Sequence, residues 1–471
     1  MFLKPKLKIM SRDNCELVHE KTLKVLAETG IRFESDQALA VLKRHGVKIT
    51  GKTAYFNSAM VDRAIAQIPK KFKWIGRNRS QDLMVGDDLV VLPNVGNIYV
   101  QDLTYGRREG KKKDFRNIIK LQQASPSMNV SGGSPVNILD VEHDEKFATM
   151  LFEAIKHSDK PILSLCQEGI QNNQRSLLML KISLGKNHLR DQIYTGVIVD
   201  PLSPLAYDKA ATDTIIAYAE DGQAILLVTC SMAGVTGPIT LSGMLIAQNA
   251  EILAGLILTQ MVHPGCPVVC GVSSSIANLK QIAYLTAAPD MNIMTMAGTD
   301  LYEDFYQLPT LLLAGQTDSK MLDYQAGFET MQTLLLPILA GVKMIQEGNG
   351  TLDSFMTTSL EKMIIDEELI ERSKHIARGL PLDSSMFLLD AIHQVGSRDS
   401  FLSHESTFAH FKELWRPTIS EDRPYSFWER DGKLEITYKA HKVWKDRLSN
   451  APQSMISESL EKELLAVIEK I

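Results

Sequence analysis

Cysteine is scarce in this 471-residue chain: there are five, an odd number, scattered from Cys15 to Cys270. Such a set builds no disulfide framework and points to reduced thiols in a cytoplasm. An excess of positive charge is also missing, since 51 Lys and Arg stand against 56 Asp and Glu for a net charge of −5. Phosphate backbones demand a concentrated basic surface, so nucleic acid is not expected as a partner. The opening MFLKPKLKIM lacks the apolar stretch of an export signal, and no run reads as long and apolar enough to cross a bilayer. No GxxxxGK[ST] loop, no GxGxxG after a strand and no Ser-His-Asp order is present. A soluble cytoplasmic protein is expected.

What is present is a 44% hydrophobic content, ample for a sizeable core. Residues 1–90 read as an accessory helical region: Asp13 to Gly30, Gln37 to His45 and Ser58 to Ile68 each carry helical spacing and a glycine or proline stop. LVVLPNVGNIYVQDL then suggests an extended hairpin. From about 91 to 375 helical stretches alternate with short apolar runs ending in polar or glycine residues: MNVSGGS, PILSLCQE, IYTGVIVD, AILLVTCSM, PVVCGVSSS, MNIMTMAG and VKMIQEGNG. That rhythm predicts a parallel sheet closed as a TIM (β/α)8 barrel, with a doubly wound open sheet as the alternative. An eighth strand is not evident. Residues 376–471 read as a C-terminal helical extension, in which His404, His410, Trp415 and Trp428 form a helix-packing strap.

In a barrel the residues following each strand converge on one mouth. Here they include Gly132 to Ser134, Gln167 and Glu168, Asp200, Ser231, Ser273 to Ser275, Gly298 and Thr299, and Glu347 to Asn349. Acids, hydroxyls and nearby aromatics dominate, which suits a cationic, fairly apolar ligand. Glu347-Gly348-Asn349-Gly350 is the central turn, because glycine lets backbone and carboxylate approach a ligand closely. The helix before it, capped by Asp318 or Ser319, carries Gln325, Glu329 and Gln332 on one face. That stripe fits either its solvent side or a ligand-facing row. In SMAGVTGPITLSG, Pro238 is placed to start a long helix, and the small residues before it form either an anion-holding rim or a tight turn. His263, Cys266 and Cys270 have a metal-like composition, but Pro264 ends a helix at His263 and Cys270 sits in a strand, so buried thiols are the reading and no resident metal is expected. Arg107-Arg108 and Lys111 to Lys113 read as a solvated turn or a patch for an acidic partner.

The segments HEKTLKVLAETGIRF, DLTYGRREGKKKDF, AGVTGPITLSGMLIAQNAEILAGLILTQMVHPGCPVVCG, DSKMLDYQAGFETMQTLLLPILAGVKMI, SLEKMIIDEE and FLSHESTFAHF span nearly the whole chain. Through them it resembles the trimethylamine methyltransferase family, in particular members without pyrrolysine. The resemblance implies a TIM barrel that passes a methyl group from a methylated amine to the cobalt of a corrinoid (cobalamin) carried by a separate protein. The Gly348-Asn349 turn lies in the region where the family carries pyrrolysine, whereas this chain has only standard residues.

A neutral tertiary amine is a poor methyl donor, because its leaving group would be an amide anion. A quaternary ammonium leaves as a neutral amine, so orientation and exclusion of water suffice. The expected substrate is therefore a quaternary amine, glycine betaine first, with proline betaine, carnitine and γ-butyrobetaine behind it. Glu347 and Asn349 are nominated for the reacting centre. Phe355, Tyr306, Glu168, Asp200, Gln325 and Glu329 are nominated for substrate binding, and Gly234, Thr236, Gly237 and Gly348 for a loop facing the corrinoid or an anion. Competing expectations are a non-catalytic betaine- or corrinoid-binding barrel and a zinc-dependent corrinoid methyltransferase using His263 and Cys266. A homo-oligomer is expected.

Overall fold

The apolar runs in the middle of the chain become, among the described residues, one sheet of eight parallel strands with a helix after each. The computed structural model describes residues 2–3 and 6–469. Strand β1 (Val90–Val91) leads to helix α1 (Lys112–Ala124), and β2 (Ser131–Gly132) to α2 (His143–His157). The next units are β3 (Ile162–Ser164) with α3 (Ile170–Leu184) and β4 (Thr195–Val199) with α4 (Lys209–Glu220). They continue with β5 (Ala224–Thr229) and α5 (Leu241–Val262), then β6 (Val268–Val272) and α6 (Pro289–Thr299). The last are β7 (Thr310–Leu313) with α7 (Tyr324–Ala340) and β8 (Met344–Gln346) with α8 (Leu360–Arg378).

Strands β2 to β8 pair in sequence order and β8 pairs with β1, Met344 opposite Val90. The last seam, β1 to β2, is closed by the Val91 amide donating to Asn129 Oδ1 at 2.8 Å, by the Asn129 amide donating to the Val91 carbonyl at 3.1 Å, and by a parallel bridge between Val95 and Ser134. The sheet is thus a (β/α)8 barrel. Its strands are apolar on both faces because both are covered. Leu226, Val228, Val269, Leu311 and Met344 fill the interior, while Ile225, Leu227 and Val268 pack against helices. Trp74, from the hairpin Phe72–Trp74/Leu83–Val85, plugs the floor so tightly that a Cβ on Gly196 would lie 2.8 Å from its ring.

Four sequence expectations are corrected. MNIMTMAG is not a strand but the body of α6, started by Pro289 at its first turn. Its residues are buried on nearly every side, which hid the helical period. The strands that take its place are Thr310–Leu313 and the two-residue Val90–Val91, which supplies the eighth. A helix long and apolar enough to cross a membrane does exist: α5 has 22 residues, and 72% of its most apolar 18-residue stretch is buried. It is a core helix, apolar all round because the barrel covers one side and the N-terminal helices Arg12–Lys24 and Ser58–Gln67 cover the other. Its cap is Thr240, whose hydroxyl accepts from Gly243, so Pro238 lies two residues ahead of the cap and outside the helix. Likewise α7 is capped by Asp323 rather than Asp318 or Ser319.

The first ninety residues also contain the sheet strands Ile31–Phe33, Lys48–Thr50 and Thr53–Tyr55. At the other end, helix Ile436–Asn450 packs on α8, with Arg447 in a two-bond pair with Glu367 (2.6 and 2.8 Å). Buried Glu361 accepts from Trp444 Nε1 at 3.0 Å and lies 2.7 Å from His441 Nδ1.

Candidate active site at the barrel mouth

At the carboxyl ends of the strands the barrel opens into a cavity of about 280 Å3. Its walls are the first polar residues after the strands, as the alternation of apolar run and polar stop dictates. Asp200 follows β4, Cys230 follows β5, Ser273 follows β6, and Gln346 and Glu347 close β8. Phe355 and Met356, from the loop between β8 and α8, lean over the opening.

Glu347 is 1% exposed, and its Oε1 accepts from the Val95 amide at 2.8 Å and from Gln346 Nε2 at 3.1 Å, its Oε2 from Thr351 at 2.9 Å. Burial outweighs these donors and pushes its carboxyl up to about 7. Asp200 lines the open side of the cavity, exposed to solvent. Desolvation first, and the charge of Asp208 second, push its carboxyl upward, and solvent on its open side screens both. Both acids thus face one small cavity in which a cation would hold them ionised.

The backbone that presents Glu347 and Phe355 is left-handed at four non-glycine residues: Glu347 at φ 68°, Asp353 at 56°, Ser354 at 50° and Phe355 at 72°. Such residues cost about 1–3 kcal/mol each and persist only where the surroundings over-determine them. Here Asp353 N donates to the Ser319 carbonyl at 2.8 Å and Ser354 N to that of Thr317 at 3.2 Å. The Phe355 ring stacks on Tyr284, centroids 5.6 Å apart and planes 27° from parallel. Beneath, Gly315 and Gly348 meet back to back: a Cβ on Gly315 would lie 2.7 Å from the Gly348 Cα, and Gly315 has φ 78°.

The model of the trimethylamine methyltransferase (MTTB) family matches residues 3–471. A glycine betaine methyltransferase of Desulfitobacterium hafniense (strain Y51) is 33% identical over 99% of this chain and 97% of its own. The chain belongs to the trimethylamine methyltransferase family. An L-carnitine:corrinoid methyltransferase of Eubacterium limosum is 30% identical over 83% of this chain and 82% of its own. The crystal structure of the Methanosarcina barkeri monomethylamine methyltransferase shares the fold, with a TM-score of 0.53 and 10% identity over 94% of this chain and 88% of that one. The protein is a methyltransferase.

Of the residues nominated from sequence, the methyltransferase brings Glu347, Asp200 and Phe355 together at the cavity. Asn349 turns away, donating from Nδ2 to the Met363 carbonyl at 2.9 Å. Gly348 lies against the Gly315 turn. Tyr306 sits beyond the far end of α6, its hydroxyl 2.8 Å from His19 Nδ1 and accepting from Asn249 Nδ2 at 2.9 Å. Glu168 is exposed beside Lys209, 3.9 Å away. Gln325 is exposed and donates to Glu329 Oε1 at 3.0 Å, while Glu329 Oε2 accepts from the Thr317 hydroxyl and the Asp318 amide (2.6 and 2.9 Å). The amides of Gly234, Thr236 and Gly237 are spent inside their own turn, on the Gly237 and Met232 carbonyls, and the Thr236 hydroxyl accepts from Met232 N at 2.8 Å. Cys266 Sγ donates to the Gln223 carbonyl at 3.2 Å, and Cys270 is buried in β6.

Arg107 lies 3.6 Å above the Tyr99 ring and donates to Asp353, and Arg108 bridges Asp102 and Asp114 at 2.7 Å each, so this basic pair braces a hairpin. Sequence reasoning missed Cys230 and Tyr284. Cys230 directly follows an identified strand, which was a usable signal, and its exposed thiol lines the cavity. Tyr284 lies in the strand pair Ser275–Asn278/Ala283–Tyr284 inside a loop, where no period marks it.

Proposed function

We propose that this enzyme transfers a methyl group from a quaternary ammonium compound to the Co(I) of a corrinoid carried by a separate protein. The observation that supports this most is the placing of Asp200, Glu347 and the Phe355 ring, backed by Tyr284, around one cavity at the barrel mouth. A quaternary nitrogen offers no hydrogen-bond donor, so carboxylates and aromatic faces are the groups that can recognise it; each cation–π contact is worth about 0.5–2 kcal/mol. The relatives, which act on glycine betaine and L-carnitine, fall in the same chemical class.

In the reaction the N–CH3 bond breaks, the Co–C bond forms, and the electron pair stays on nitrogen, which departs as a neutral tertiary amine. The chain's part is to hold the cation, exclude water and aim one N-methyl out of the mouth toward the corrinoid. Glycine betaine is the first substrate to test. Purified enzyme with Co(I) cobalamin should give the methyl-cobalt absorption with at least one of glycine betaine, proline betaine, carnitine and γ-butyrobetaine. Silence with all four, or turnover of uncharged trimethylamine alone, overturns the reading.

A further inference from the structure

Between the end of α8 and residue 415 the chain makes an excursion that a single copy does not bury. Its strand Leu380–Pro381 pairs with Phe2–Leu3 directly after α8, and it returns where Trp415 lies over Arg372, 4.2 Å from the ring centroid. Just beyond, the backbone amides of Thr418, Ile419 and Ser420 all donate to Glu368, at 2.8, 2.7 and 3.1 Å. The excursion thus leaves from the carboxyl end of α8 and returns against the middle and second half of the same helix. A barrel helix runs from the mouth toward the floor, so the excursion is rooted at the end opposite the cavity.

Between residues 382 and 414 eleven large apolar side chains are more than a third exposed, including Phe387 (57%), Leu389 (59%), Ile392 (51%), Leu402 (85%), Phe408 (82%) and Leu414 (65%). In the same span Ala391 is the one buried hydrophobic residue among the described residues. Yet the segment is structured, with helices Leu389–Val395 and Glu405–His410 and a Phe408–Phe411 ring pair at 5.8 Å. An ordered segment of this kind needs apolar burial to offset its ordering entropy. Together the side chains present on the order of 1,000 Å2 of apolar surface, against roughly 300–600 Å2 for the largest patch on a typical monomer and about 800 Å2 per partner in a stable interface.

We propose that this arm, residues 382–414, is the contact surface for a second copy of the same chain. Two arms meeting about a two-fold axis each cover the other's apolar face, as isologous interfaces do. The high apolar content matches a permanent homo-oligomer rather than a transient encounter. The corrinoid-bearing protein has to reach the mouth at the other end, which leaves the floor-side arm for self-association. This inference stands apart from the methyl-transfer reading.

The test is the solution mass of the full chain at micromolar concentration, by light scattering coupled to size exclusion. The wild type should run as two or more 52.5 kDa chains. Leu402→Glu with Phe408→Glu should run as one chain with unchanged far-UV circular dichroism, since both side chains are more than 80% exposed within a single copy. Hydrogen exchange over 382–414 should be protected in the wild type and fast in the double variant. A single-chain mass for the wild type, an oligomer that survives both glutamates, or an arm protected only when the corrinoid protein is added overturns the proposal.

Discussion

Ser354 donates its hydroxyl to the carboxylate of Asp318 at 2.6 Å. The same Oδ1 accepts from the amide and hydroxyl of Thr286 at 2.9 and 2.8 Å, and Oδ2 from the Ala287 amide at 3.3 Å. One carboxylate thus ties the loop bearing Phe355 to the loop bearing Tyr284, and Glu329 on α7 in turn fixes the Asp318 amide. The aromatic pair is set by an acid that is not itself part of it.

Asp318→Ala should therefore raise KM for the quaternary amine by about tenfold, the scale of 1.4 kcal/mol, with the fold intact. Asp318→Asn keeps an acceptor and should lose less. Steady-state kinetics alongside near-UV circular dichroism of Tyr284 checks this, and an unchanged KM in Asp318→Ala would refute the coupling.

Phe355→Leu conserves apolar bulk but removes the ring face. If the ring holds a permanent cation, affinity should fall by roughly two- to thirtyfold, corresponding to about 0.5–2 kcal/mol. Phe355→Tyr should stay near wild type. Calorimetric titration with the substrate identified by the methyl-cobalt assay separates the two outcomes.

Glu347 and Asp200 give a pH signature. Glu347 is raised in the folded state to about 7, from 4.5, and Asp200 is shifted in the same direction from 3.8. The folded state therefore holds protons that the unfolded chain has released, so stability from these groups is fully present below about pH 4 and is lost as pH rises through 7. Substrate affinity moves the other way: a cation favours the ionised pair and should bind more tightly from pH 6 to 8. Glu347→Gln should flatten both trends, reducing the gap in Tm between pH 5.5 and 8.5 and weakening the pH dependence of KM.

Lys362 is 1% exposed and its ammonium reaches both Asp366 oxygens (2.9 and 2.7 Å) and the Gly315 carbonyl (3.0 Å). Asp366 also accepts from the Gly350 amide at 2.7 Å, so the pair secures both glycine turns under the cavity. Lys362→Met strands a buried carboxylate and should cost about 3–5 kcal/mol. Urea unfolding measures the loss, and a change below about 1 kcal/mol would show that the pair is dispensable.

Several features were legible before any coordinates. Six of the seven apolar runs are strands, because a strand covered on both faces is an unbroken apolar stretch ending at a polar residue. Helices Asp36–Arg44 and Ser58–Gln67 fall within a residue of their caps and stops. Asp200 and Glu347 reach the cavity by the same logic, each directly following a strand, and Phe355 reaches it as an aromatic near a strand end. Tyr306, Glu168 and Gln325 failed to join them because nearness in sequence to a strand says nothing about which end of the barrel a loop occupies, or where its side chain turns.

The sequence by itself determined the alternation of strand and helix, the glycine turn at Gly348 and the acidic, aromatic character of the strand ends, all of which are local and periodic. Tertiary structure alone decided that two residues, Val90 and Val91, complete the barrel, that α5 is a core helix, and that Asp200 faces Glu347 across a cavity roofed by Phe355 on Tyr284. Those outcomes depend on closing a ring of strands drawn from more than 250 residues of chain, from Val90 to Gln346, and no local period carries that closure.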